Sequence, residues 1–184
     1  TNRMRGKVGK KYSLLVEYNG KTAAAETTIP APVPFTSVAA EAVSDSLYTI
    51  KALLDDPEGE ENWYRLFVKV QGRDSTFVPS FLGCFSDENI ARPAEIGIMC
   101  GNGISSQGSW TWNPAMFPAG KKVRIRFCTM DRTSFCFWNS FDKVAHLSMV
   151  LFFTSTYNPE YNVSGALGYW CGYGLSEYSL TPGE

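Results

Sequence analysis

The sequence predicts a mostly β protein: an immunoglobulin-like or fibronectin-III-like sandwich with one late α-helix, preceded by a hairpin from an upstream β-domain. Three observations carry this. Aromatic residues reach 14% while charged residues stop at 19%, a balance that suits pleated surfaces crossed by large side chains. Several segments alternate apolar and polar residues at period two, with turn chemistry between them. A single segment, near the end, changes to helical spacing.

In chain order, Tyr12, Leu14, Val16 and Tyr18 share one face of a first strand. Asn19-Gly20 comes next, a strong signal for a two-residue hairpin turn, and residues 21–29 return. Pro30-Ala31-Pro32-Val33-Pro34 cannot supply a hydrogen-bonded ladder and reads as a stiff linker. The expected division is therefore 1–34, a terminal hairpin plus linker, and 35–184, the sandwich with its helix and a Gly/Tyr-rich tail. A hairpin is not stable by itself, so the first part is expected to belong to a preceding domain or to pack on the residues after the linker.

Beyond the linker, residues 35–43 form a first strand, and Tyr48, Ile50, Ala52 and Leu54 point inward along a second. A Pro/Gly turn over 55–62 leads into the best strand of the chain, with Tyr64, Leu66, Val68 and Val70 on one face. Residues 79–120 read as irregular, with room for short strands. Val123, Ile125 and Phe127 face inward on a further strand. From Asp131 to Leu147, Phe137, Phe141, Val144 and Ala145 recur at helical spacing, with Asp131 or Ser134 as N-cap. Residues 165–180 read as extended loops.

Composition narrows the function classes. A net charge of −1 provides no long-range field toward nucleic acid or anionic membranes, and no nucleic-acid partner is expected. No apolar run approaches the length of about 18 residues that a spanning helix needs. The start at Thr1 without Met reads as a processing or cloning boundary. The five cysteines (84, 100, 128, 136 and 171) contain no C-x-x-C pair, and one His completes no zinc set. They read as free thiols among aromatics, with one disulfide open to an oxidising compartment. There is no phosphate loop or dinucleotide fingerprint, and no cofactor is expected.

Three segments, taken together, carry a family resemblance: Gly9-Lys10-Lys11-Tyr12-Ser13-Leu14 running to Thr28-Ile29-Pro30; Asp56-Pro57-Glu58-Gly59-Glu60-Glu61-Asn62-Trp63-Tyr64-Arg65; and Gly168-Tyr169-Trp170-Cys171-Gly172-Tyr173. Their set and order resemble the Bacteroidetes domain-of-unknown-function family 4249 over most of the chain, without the family's N-terminal part and lipoprotein Cys. Trp63 and Cys171 depart from the pattern. The resemblance implies an exported lipoprotein, lipid-anchored through the absent N-terminal part at the outer membrane or cell surface, near a TonB-dependent receptor. It implies a β-sandwich body with no established activity and supplies no catalytic residues.

Four features are candidate sites. Asp55, Asp56 and Glu58, with Glu60 and Glu61 close by, could offer oxygens to calcium, or they form a solvated turn. Trp110, Trp112, Tyr169 and Trp170 could make a stacking platform for a glycan or peptide, or they cover the core. Ser46 in Asp45-Ser46-Leu47 resembles a short bacterial O-glycosylation site; Asn162-Val163-Ser164 fits the eukaryotic sequon. Lys121, Lys122, Arg124 and Arg126 read as a solvated strand face. His146 has no nucleophile motif beside it, so the chain is not read as an enzyme. The expected role is binding or accessory, beside a TonB-dependent receptor. A structural or adhesion display domain is the alternative, and an enzyme with an unrecognised carboxylate site a further one.

Overall fold

The computed structural model describes residues 6–101, 113–151 and 159–184. Strands in order are β1 (Lys11–Tyr18), β2 (Lys21–Thr28), β3 (Phe35–Ala42), β4 (Leu47–Leu54), β5 (Trp63–Val70), β6 (Val78–Ser86), β7 (Ala94–Ile98), the short β8 (Phe117–Pro118), β9 (Val123–Met130), the short β10 (Val163–Ser164) and β11 (Gly174–Leu180). Between β9 and β10 lies the helix α1 (Arg132–Leu151). The protein is mostly β, built of open antiparallel sheets with a single α-helix among the described residues. No helix among them is long and apolar enough to cross a membrane.

Contacts divide the chain into two compact units, residues 33–128 with 175–184 and residues 1–32 with 129–174. Sequence alone groups 129–174 with the sandwich; these residues cluster instead with the N-terminal hairpin. The chain therefore leaves the first of these units after Cys128 and re-enters it at Leu175.

The unit of residues 33–128 and 175–184 is a two-layer arrangement. One sheet has the order β3-β4-β7, with β8 also on β4, and the other the order β11-β9-β5-β6. The alternation predicted from sequence sets what lies between them. Ile50, Ala52 and Leu54 on one side meet Tyr64, Leu66, Val68, Val70, Val123, Ile125 and Phe127 on the other in one buried cluster. Burying a side chain of this size contributes about 1.5–3 kcal/mol, so the alternation itself fixes the register. Phe35 stacks on Phe127 at 4.0 Å between ring centres, and Tyr64 on Phe127 at 4.8 Å.

Two strands differ from expectation. β6 falls in the segment that reads as irregular because its signal is broken: Pro79 donates no hydrogen bond, and the pairing with β5 jumps between Arg65 and Phe67. Leu82 bulges there with φ 53°, and Pro79 is tolerated because β6 is a sheet edge. β11 replaces an expected loop. It is also an edge, and of its inward residues Gly174, Ser176, Tyr178 and Leu180 only the last two are apolar and pack on the core, so its period-two signal is weak.

In the other unit, β1, β2 and β10 form a three-stranded sheet. The Asn19-Gly20 turn has φ of 49° and 70°, the two left-handed residues that a tight hairpin of this type needs. β1 pairs with β2 along its whole length, from Lys11 opposite Thr28 to Tyr18 opposite Lys21. Only Tyr12 and Leu14 of its predicted apolar face are half-buried; Val16 and Tyr18 stay exposed.

A candidate aromatic surface

The helix begins after Asp131, one of the two caps the sequence offers. Asp131 accepts from Ser134 N through Oδ1 at 2.8 Å, so its carboxylate satisfies an orphan amide of the first turn. Its other oxygen accepts from Thr27 Oγ1 at 2.7 Å and from the Thr28 amide at 3.0 Å, both on β2. Burial works against the Asp131 charge, but these donors outweigh it and hold the carboxyl below the usual range. Thr27 Oγ1 accepts in turn from the Gly172 amide at 2.9 Å. One cap therefore joins the helix, the hairpin and the Gly-rich tail. Gly172 is required there, because a Cβ would stand 2.6 Å from Cγ1 of Ile29.

On this frame α1 presents Phe137, Trp138 and Phe141. Residues 137 and 141 are one helical turn apart and their rings lie 5.9 Å apart. Tyr169 stacks on Phe137 at 4.3 Å and meets Trp138 edge-on at 4.8 Å. Tyr161 approaches Phe137 at 6.2 Å. Trp138 Nε1 donates to the Tyr173 hydroxyl at 2.7 Å. The segment bearing Tyr161 and Tyr169 is held by polar clamps: Glu160 N donates to Ser140 Oγ, and the Asn162 amide brackets the backbone of Trp170, donating to its O and accepting from its N, each at 2.7 Å.

The result is a two-level cluster. Phe137 and Trp138 are 5% and 8% exposed, whereas Phe141, Tyr161 and Tyr169 are 44%, 41% and 44% exposed. The buried pair fixes the outer three, which offer ring faces and edges to solvent. Burial pushes both the Tyr173 hydroxyl and the Cys171 thiol up. A thiol so shifted stays protonated and is a poor nucleophile.

Of the four predicted platform residues, Tyr169 is in this cluster. Trp170 is half-buried, its backbone held by Asn162, and Trp110 and Trp112 lie outside the described residues. Phe137, Trp138, Phe141 and Tyr161 are site residues that the sequence does not single out, although the helical spacing of 137 and 141 is an available signal. Asn162 is engaged with Trp170, which leaves the sequon amide occupied.

The carboxylates of the acidic loop do not converge. Asp56 is turned inward, where the Tyr64 hydroxyl donates to it and Arg92 Nη2 pairs with it at 3.1 Å. Asp55 and Glu58 are exposed on the turn. Among the described residues no group of three or more His, Cys, Asp or Glu side chains is arranged to hold a metal. None of the five cysteines is in a disulfide. Ser46 is exposed in the β3–β4 connection. His146 lies on α1, and its side chain is outside what the structure describes.

Residues 2–177 match the family model described as a domain of unknown function, DUF4249. The chain belongs to the DUF4249 family. Neither the curated proteins nor the solved structures contain a match. The segments that carry the resemblance to DUF4249 have physical roles. In the Asp56–Arg65 segment, Asp56 and Tyr64 bond to each other inside the sandwich. Gly59 takes the turn's left-handed position at φ 81°, and the Asn62 carbonyl accepts from Asp87 N. In the Gly168–Tyr173 segment, Gly172 and Tyr173 lock onto β2 and α1. No catalytic family is indicated.

Proposed function

We propose that this DUF4249 chain is a non-catalytic binding module of the cell envelope, and that the surface of Phe141, Tyr161 and Tyr169 receives an extracellular glycan beside a TonB-dependent outer-membrane receptor. The observation that carries the reading is the exposure of three rings over a buried pair. Rings fixed from below lose little entropy on binding, and their faces suit the C–H faces of sugars. The envelope setting and lipid anchor rest on the family resemblance. The body is read as fibronectin-III-like because a three-stranded and a four-stranded sheet share one core, with the last strand beside β9.

Two experiments test this. A glycan array is probed with the intact chain and with Phe141→Ala and Tyr169→Ala, and a pull-down from native membranes asks whether a TonB-dependent receptor accompanies the protein. Array binding that both variants lose at unchanged fold, with the receptor in the eluate, is expected. An empty array, with variants that only lower Tm, assigns the rings to packing. That outcome would favour a display role, which the inward use of Asp56 and Tyr64 by the fold also suits.

A further inference from the structure

The outer face of the β11-β9-β5-β6 sheet carries a second feature, within the other unit. Lys122 and Arg124 stand between two hollows. One, of about 500 Å³, is open and lined by Lys69, Gln71, Gly72, Asp74, Ser75 and the two cations; the other, of about 350 Å³, adds Glu177 and Ser179. The cations of this face are held in place. Arg124 and Arg126 lie over the Phe77 ring at 5.1 and 3.9 Å, and both pair with Glu177. Lys69 Nζ donates to the Ser75 carbonyl at 2.6 Å, leaving two ammonium protons for another partner.

The acidic groups are already engaged. Asp74 accepts from Arg73 through both oxygens and from the Val70 amide at 2.8 Å, so its charge is answered from within the protein. Lys122 is exposed, with no ion pair among the described residues. Positive charge on a ridge, with neutral hydrogen-bonding side chains (Gln71, Ser75, Ser179) in the hollows beside it, suits a ligand that alternates anionic groups with hydroxyls. The interleaved Asp74 and Glu177 disfavour a chain as densely charged as polyphosphate, while Glu177 can accept from a hydroxyl.

We propose that the Lys122–Arg124 ridge and its two hollows bind a saccharide chain bearing oxyanions, with carboxylate or sulfate as the charged group. The site belongs to the other unit and is independent of whether the aromatic surface binds a glycan. It lies on the sandwich, so Phe141→Ala and Tyr169→Ala leave it intact.

The test is calorimetry of the intact chain at low salt with four probes: oligogalacturonate, a heparin-derived oligosaccharide, an uncharged malto-oligosaccharide of the same length, and inorganic polyphosphate. Binding to one or both charged sugars is expected, and which of them binds identifies the carboxylate or the sulfate. Lys122→Glu should weaken it about tenfold or more, the scale of one charge-assisted contact. Lys122 is exposed, so this variant is expected to keep the parent Tm; Lys69→Gln serves as a second, milder change. Raised salt should weaken binding in parallel. The proposal is overturned if neither charged sugar binds, if the uncharged sugar binds as well, if polyphosphate binds as tightly as the sugars, or if folded Lys122→Glu binds unchanged.

Discussion

The indole Nε1 of Trp138 donates to the hydroxyl of Tyr173 at 2.7 Å, joining the helix to the Gly-rich tail across 35 residues of chain. Tyr173→Phe removes this acceptor from a nearly buried ring and is expected to cost about 1–2 kcal/mol in urea unfolding. Burial raises the Tyr173 pKa above the usual tyrosine value. A raised value means the stability is fully present below that usual value and is lost as pH rises beyond it. The alkaline fall in stability should therefore be shallower in Tyr173→Phe than in the parent, read from urea midpoints at increasing pH.

Asp131 gives the opposite sign. Its carboxyl is held below its ordinary range, so its contribution is present above the unfolded value and lost as pH falls through the folded one. Asp131→Ala is expected to cost about 1–2 kcal/mol at neutral pH, the scale of a lost N-cap. In strong acid the parent and variant should converge. Equal stabilities at neutral pH would show that the cap contributes nothing.

Inside the sandwich, Tyr64→Phe withdraws the phenol donor from the fully buried Asp56 and leaves Arg92 as its neighbour. A loss of about 1–3 kcal/mol is expected, measured by urea unfolding. Because Asp56 is engaged inward, millimolar calcium should leave Tm unchanged. A calcium-dependent rise would mean the loop rearranges to release it.

The five cysteines, none of them in a disulfide, make a chemical prediction. Cys100 and Cys128 are buried, and burial raises the Cys100 and Cys171 thiols despite a hydrogen bond from Arg73 to Cys100. Reaction of the native protein with a disulfide reagent should be slow at these positions, while the unfolded protein releases all five equivalents. Adding a reductant should not move Tm. Fewer than five equivalents after unfolding would reveal a disulfide.

Much of the sandwich is legible in the sequence because its strands obey a local rule. Ile50 to Leu54 and Val123 to Phe127 bury alternate residues, as does Tyr64 to Val70 apart from the buried Arg65, and alternation needs no knowledge of the partner strand. The Asn19-Gly20 turn and the Asp131 cap are equally local. β6 and β11 are not legible, since β6 carries a Pro and an irregular register and β11 has only two apolar residues, Tyr178 and Leu180, on its inward face. The aromatic surface is half legible: Tyr169 is a candidate from sequence, but its neighbours come from a helix about 30 residues earlier, and period alone does not say which rings meet. The grouping of 129–174 with the hairpin depends on contacts such as Thr27 with Asp131, 104 residues apart, which no local pattern encodes.

That separation sets the order in which the protein can be completed. β2 is made early, but the carboxylate that Thr28 binds arrives 103 residues later. At about 10 residues per second, this is a wait of about ten seconds. A two-stranded hairpin does not hold itself together for such an interval, and Leu15, Val16 and Tyr18 offer apolar surface even in the finished fold. The sandwich waits as well, because β11 comes after every other strand of its sheet. Residues 129–174 must therefore be made before either unit can close, so the incomplete chain is expected to keep apolar surface exposed while it is being synthesised.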